Sequence, residues 1–176
     1  MKKIGLLVIA LFMAGVLAAC AQPAGASKII LAADMVRGAE GAPKGAVCVL
    51  NNQYHRGEAV VFRVRLTDGE TGDEIPANAA DLLARETPPD REEIGEMTGG
   101  IEAIVHLSDG QSFSLHYGAH SPDRPADYFW TTNWVVPDDY PTGTIGYYVT
   151  ADWEAESKSG RFDPFNVFPN LLTIIE

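Results

Sequence analysis

Ten residues, Glu58 to Thr67, constrain the fold more than any others. Val60, Phe62, Val64 and Leu66 alternate with Val61, Arg63 and Arg65. A side-chain period of two is that of a strand with one apolar, buried face and one basic, solvated face. Arg56-Gly57-Glu58 reads as the turn that enters it. The chain from Ile101 to Tyr117 extends the pattern as a hairpin. Ser108-Asp109-Gly110 suits a three-residue loop, a type I turn closed by a left-handed glycine. That register opposes Leu107 to Gln111, Val105 to Phe113, Ala103 to Leu115 and Ile101 to Tyr117. It gathers the large apolar residues on one face, Ile104 excepted, whereas a two-residue loop mixes the faces. On the outward face Glu102 then meets His116, and His106 meets Ser112.

Further short runs fit the same reading. Ile29-Ile30-Leu31 opens the first strand, and Ala46-Val47-Cys48-Val49-Leu50 forms an apolar second. Tyr128 to Val136, Thr144 to Asp152, Arg161 to Val167 and Leu171 to Ile175 follow. Pro137 to Gly143 is a dense turn between two of them. Neither a βαβ alternation nor an internal repeat is evident. Short strands with regular turn signals predict an all-β chain, an antiparallel β-sandwich. One segment, about 68–100, departs from the pattern and reads as an insertion, a surface loop or short helix. Asn78 to Glu86 suits a helix with Asn78 as N-cap, stopped by Pro88-Pro89, and Asp90 to Glu96 is acidic.

The N-terminus has a different character. Lys2 and Lys3 precede an apolar run from Ile4 to Val16, then Leu17-Ala18-Ala19-Cys20. A charged start, a short apolar stretch and small residues mark an export signal, and the stretch is short for a membrane span. Leu17-Ala18-Ala19-Cys20 resembles the lipobox of bacterial lipoproteins. The resemblance implies that residues 1–19 are removed and that Cys20 becomes an acylated N-terminus, the membrane anchor of the protein. Ala21 in place of an Asp after the cysteine implies the outer membrane, at its periplasmic face, over the inner membrane. Residues 20–27 (Cys-Ala-Gln-Pro-Ala-Gly-Ala-Ser) are small and polar, as a flexible tether is.

Loss of residues 1–19 leaves 157 of 176 residues, enough for one domain with a sizeable core, here 28–176. It removes two lysines and no acid, so the net charge moves from −11 to −13. Such a surface favours solubility and opposes nucleic acid and anionic lipid. With Cys20 acylated, Cys48 has no partner for an intrachain disulfide, and in an apolar run it reads as a small buried hydrophobe.

Two segments, Arg56 to Val64 and Tyr140-Pro141-Thr142-Gly143-Thr144-Ile145-Gly146-Tyr147-Tyr148-Val149, carry a second resemblance. From Lys28 onward the chain is similar to bacterial immunoglobulin-like (Ig-like) or fibronectin type III-like sandwich domains. A Gly-Glu turn there leads into a core strand, and a Pro-x-Gly-x turn into a tyrosine-bearing one. The Cys-Trp-Cys signature of antibody domains is absent. The resemblance implies a fold and no particular activity.

Catalytic motifs are missing, with no Gly-x-Ser-x-Gly, His-Glu-x-x-His or phosphate-cradling loop. Asp123, Asp138 and Asp139 lie in Pro-rich turns, where Asp serves local hydrogen bonding. The expectation is a binding protein with no cofactor. Its contact surface is read at the loop from Gly118 to Asp127 with its flanks, through Tyr117, His120, Arg124 and Tyr128, and at Trp153 beside a turn. Trp130 and Trp134 share a strand face and are read as core. A protein partner in the envelope leads. Metal handling with copper or zinc through His116, His120 and His55 is a second reading, and sugar binding by exposed aromatics a third. On a strand, residues four apart lie roughly 13 Å apart, too far to share an ion, so His116 and His120 need the chain to curl at Gly118.

Overall fold

A computed structural model describes residues 27–76, 89–119, 127–167 and 170–176. The signal, Cys20 and the expected helix from Asn78 to Glu86 lie outside them. The described residues form strands β1 (Ser27–Gly41), β2 (Gln53–His55), β3 (Glu58–Asp68) and β4 (Glu74–Ile75), then β5 (Glu102–Leu107), β6 (Ser112–Ser114), β7 (His116–Ala119) and β8 (Tyr128–Val135), of which β2 and β4 were not expected from the sequence. The chain closes with β9 (Gly143–Ile145), β10 (Tyr147–Trp153), β11 (Lys158–Phe162) and β12 (Leu172–Ile175). Among the described residues an α-helix, α1 (Arg91–Thr98), precedes β5.

The all-β expectation holds, but the sheets are mixed and not antiparallel throughout. A nine-stranded sheet runs β6-β5-β10-β11-β1-β3-β8-β7, with β4 on β3. Its two end strands are consecutive in the chain, separated by Leu115 alone, so the sheet nearly closes on itself. β1 links its two walls. Ser27 and Lys28 pair in parallel with Lys158 and Ser159, and Ile29 onward pairs antiparallel with β3. A smaller sheet, β2-β12-β9, holds the second parallel pair, β2 with β12.

The core fills the space between the walls. Val60, Phe62, Val64 and Leu66 are fully buried, as the alternation of β3 predicts, and Val149 and Ala151 of β10 are fully buried in the same core. The Phe62 and Tyr147 rings meet with centroids 5.4 Å apart. Burying a side chain of this size contributes about 1.5–3 kcal/mol. Trp130 and Trp134 are core residues, at 3% and 5% exposure.

The seam between β1 and β11 depends on Gly160. A Cβ there would overlap the carbonyl oxygen of Ile29 and Cδ1 of Leu31. Gly160→Ala is therefore expected to cost about 1–3 kcal/mol of stability, measured by urea unfolding, and to speed proteolysis near Ser27.

The hairpin register holds through Leu115. Val105 pairs with Phe113 and His106 with Ser112, while Leu107 N–H donates to Gln111 and Leu115 N–H to Ala103. Beyond Leu115 it does not. β7 leaves β5 and pairs with β8, so Tyr117 faces Trp130 and not Ile101. His116 consequently sits beside Thr131, and Glu102 beside Asp152, which removes the expected Glu102–His116 pair.

The apolar run from Ala46 to Leu50 is not a core strand. Cys48 has φ +57°, which breaks the extended backbone, and its side chain is exposed. Val47, Val49 and Leu50 are 39–66% exposed. The run lies along the edge of β1 through two bonds with Arg37, from Arg37 N–H to Val49 and from Cys48 N–H to Arg37. β1, longer than expected, fills the place in the sheet that the run was expected to take.

The loop before β3 is fastened by one buried carboxylate. Glu58, with 0% exposure, accepts the backbone N–H groups of Lys44 and His55, each at 2.7 Å. Arg37 Nε lies 2.8 Å from Glu58 Oε1, close enough to neutralise it though not aligned as a hydrogen bond. Burial alone would raise the carboxyl pKa, but the two N–H groups and the Arg37 charge outweigh it and hold the pKa below 4.5.

The insertion contains α1. Asp90 caps it by accepting from Glu92 N–H and Glu93 N–H, and Gly99 ends it at φ +56°. Ile94 and Met97 pack against the core.

Candidate functional site

The alternation of β3 that buries Phe62 and Val64 turns Arg63 and Arg65 outward. Cross-strand register does the rest. Asp34, Arg63, Thr131 and His116 form one row across β1, β3, β8 and β7, and Gly118 opposes Phe129 in the next. Arg63 grips Asp34 in a two-bond fork, Nε to Oδ1 at 2.7 Å and Nη2 to Oδ2 at 2.6 Å. That fork is the main reason the Arg63 pKa rises above its ordinary value. Arg65 pairs with Asp127 and stands 3.7 Å from Glu74.

Both guanidinium groups pack on one ring. Arg63 Cζ is 5.3 Å and Arg65 Cζ 5.0 Å from the Phe129 centroid, within cation–π range. A hollow of about 160 Å³ lies beside them, lined by Ala32, Ala33, Asp34, Arg63, Val64, Arg65 and Phe129. A side chain added at Gly118 would meet nothing within 4 Å, so the approach along β7 is open. The ion pairs compensate both arginines locally, which makes this face a near-neutral island on an acidic chain. A rigid aromatic flanked by arginines is the composition of a protein-contact hot spot.

Of the contact residues expected from sequence, His120 and Arg124 lie outside the described residues. Tyr117 and Tyr128 are buried, at 6% and 2% exposure, with their rings stacked at 5.8 Å. The strand alternation that leaves Phe129 partly buried on the outer face turns Tyr128 inward, so the Tyr128 ring offers no area to a partner. Trp153 is half-buried. Its indole N–H donates to the Gly99 carbonyl and Lys158 Nζ stands 5.8 Å from its ring. Phe129, Arg63 and Arg65 carry the face instead. Their signal was the odd-numbered positions of the two strands, opposite to those that carry the core.

The three described histidines, His55, His106 and His116, are dispersed. His55 Nδ1 contacts the Glu176 carbonyl oxygen on the small sheet, and His116 is on β7. His106 stacks on Tyr148 at 4.5 Å and meets Thr150 Oγ1 at 3.0 Å. Among the described residues no three His, Cys, Asp or Glu side chains gather as they would around a metal ion. Among the same residues no helix is long and apolar enough to cross a membrane. Comparison with protein-family models, with curated proteins and with solved structures gave no match.

Proposed function

We propose that this protein is a lipid-anchored, exported binding module of the bacterial envelope, without catalytic activity. Cys20 tethers it at the periplasmic face of the outer membrane, and the Phe129 face meets a protein partner. The observation that carries the contact reading is the ring of Phe129 between two guanidinium groups already neutralised by carboxylates. Such a face loses little conformational freedom on binding, because its long side chains are held in place beforehand. The Ig-like description of the domain belongs to the same proposal. It is supported by the first strand, which divides between two walls.

Two measurements test the reading. Metabolic labelling with a radioactive fatty acid should mark the wild-type chain and leave Cys20→Ser unmarked. A photo-crosslinking residue at position 129 should give a discrete adduct in cells, and one at the exposed Ser112 of β6 should not. Arg65→Ala should remove the adduct. Equal labelling of Cys20→Ser would end the anchor assignment. Adducts equal at 129 and 112 would end the assignment of the face.

A further inference from the structure

Large apolar side chains are not spread evenly over the surface. Among the described residues seven are exposed, and five of them, Val47, Val49, Leu50, Phe165 and Val167, come from two segments. Phe165 is the most exposed, at 81%, and Leu50 follows at 66%. Neither segment is a regular strand with a face to bury. The left-handed Cys48 breaks the first, and the second lies between β11 and β12.

Backbone contacts bring the two segments to one side of the domain. The first lies along β1, where Leu50 bridges Val36 and Asn51 N–H donates to the Met35 carbonyl. In the second, Val167 N–H donates to the Phe165 carbonyl and Asn170 N–H to the Val167 carbonyl. Leu50 and Asn170 then line one hollow of about 440 Å³, with Met35 of β1 beside them. Acids at the border are compensated. Asp34, also at the hollow, is forked by Arg63, and Asp163, two residues before Phe165, is forked by Arg161 through bonds of 2.7 Å each. On a chain of net charge −11 this leaves an apolar, locally neutral patch, the kind of surface that marks a contact with protein or membrane.

The length of chain before β1 decides between them. Cys20 stands seven residues before Ser27, where β1 begins. Seven residues span at most about 23–25 Å, so an acylated Cys20 holds this strand beside a lipid surface. Val36 is nine residues further along β1, about 30 Å from Ser27. A domain standing upright on its tether would hold the patch away from the lipid, whereas one lying with β1 along the surface brings it into contact. So short a tether keeps the local concentration of lipid high, and a modest apolar area then suffices.

We propose that this side of the domain rests on the membrane, with Leu50, Phe165 and Val167 entering the headgroup boundary of zwitterionic lipid. The inference rests on the acylation of Cys20 proposed above. The acidic chain disfavours anionic lipid. The Phe129 face lies on β8, two strands from β1, and stays open to a protein.

The full chain as purified from the envelope, reconstituted in phosphatidylcholine vesicles that carry a headgroup nitroxide, tests this with a fluorescent residue at position 167. The expected result is flotation with the vesicles and quenching by about twofold or more. The same probe at exposed Ser112 of β6, four strands from β1, should keep its emission. Leu50→Asp/Phe165→Asp should still float and should lose most of the quenching at 167. Should that pair lower the urea midpoint, Phe165→Asp alone gives the same reading. A chain that floats with positions 167 and 112 quenched alike overturns the docking and leaves the anchor standing. So does emission at 167 that follows protein density and ignores the nitroxide, which would place a second copy on the patch. A chain that does not float ends the anchor reading and this one with it.

Discussion

Glu58→Ala is expected to lower the unfolding free energy by about 3–5 kcal/mol, read from urea unfolding at neutral pH. The loss has two sources. Arg37 would be left partly enclosed without its counter-charge, and the N–H groups of Lys44 and His55 would lose their acceptor. Glu58→Gln keeps the shape and one acceptor oxygen, so its loss should be smaller. The two variants separate charge from packing. They also differ in acid. The folded pKa of Glu58 lies below the ordinary carboxylate value, so its contribution is complete above about pH 4.5 and disappears as pH falls through the folded pKa. Wild type should therefore lose stability in that acid range, and Glu58→Gln should show a shallower slope there. Equal slopes would mean that Glu58 titrates alike in the folded and unfolded chains.

Trp130→Ala should be as damaging, at about 3–5 kcal/mol. The side chain is 3% exposed, packs on Tyr117 at 5.5 Å, and donates its indole N–H to the Ile75 carbonyl at 3.1 Å. Its removal opens a cavity where β7 and β8 meet, and orphans a buried carbonyl. Trp130→Phe retains most of the ring and isolates the hydrogen bond, with an expected loss of about 1–3 kcal/mol. Both numbers can be read from the same denaturation series. If Trp130→Ala unfolds within about 1 kcal/mol of wild type, the packing described at this wall is incorrect.

What could be read from the sequence was whatever short-range pattern governs. β3 was legible because its own alternation selects its faces, and the β5–β6 register because a turn of known geometry fixes it. The departure of β7 from β5 was not legible. Nothing local at Leu115 states that the next four residues will pair with β8. The run at Ala46 to Leu50 misled for a related reason. Apolar composition says that burial would be favourable, and says nothing of whether a longer neighbour already fills the place. α1 was missed although its signals are present, Asp90 followed by Glu93 in capping spacing and Gly99 as its stop. Its acidic composition masked them. The contact face was half legible. Arg63 and Arg65 were placed on a solvated face, but their convergence on Phe129 depends on pairing between β3 and β8 that no single strand reveals.

The near-closure of the large sheet bears on how copies of this protein behave when crowded. Unpaired strand edges are the usual template on which a second chain adds itself and aggregation starts. Here the two ends of the large sheet are β6 and β7, of three and four residues, and the ends of the small sheet are β2 and β9, of three residues each. At these four ends a docking strand would find a handful of backbone groups before the chain turned away. A protein with these edges can be held at high local density with little tendency to recruit its neighbours into a shared sheet.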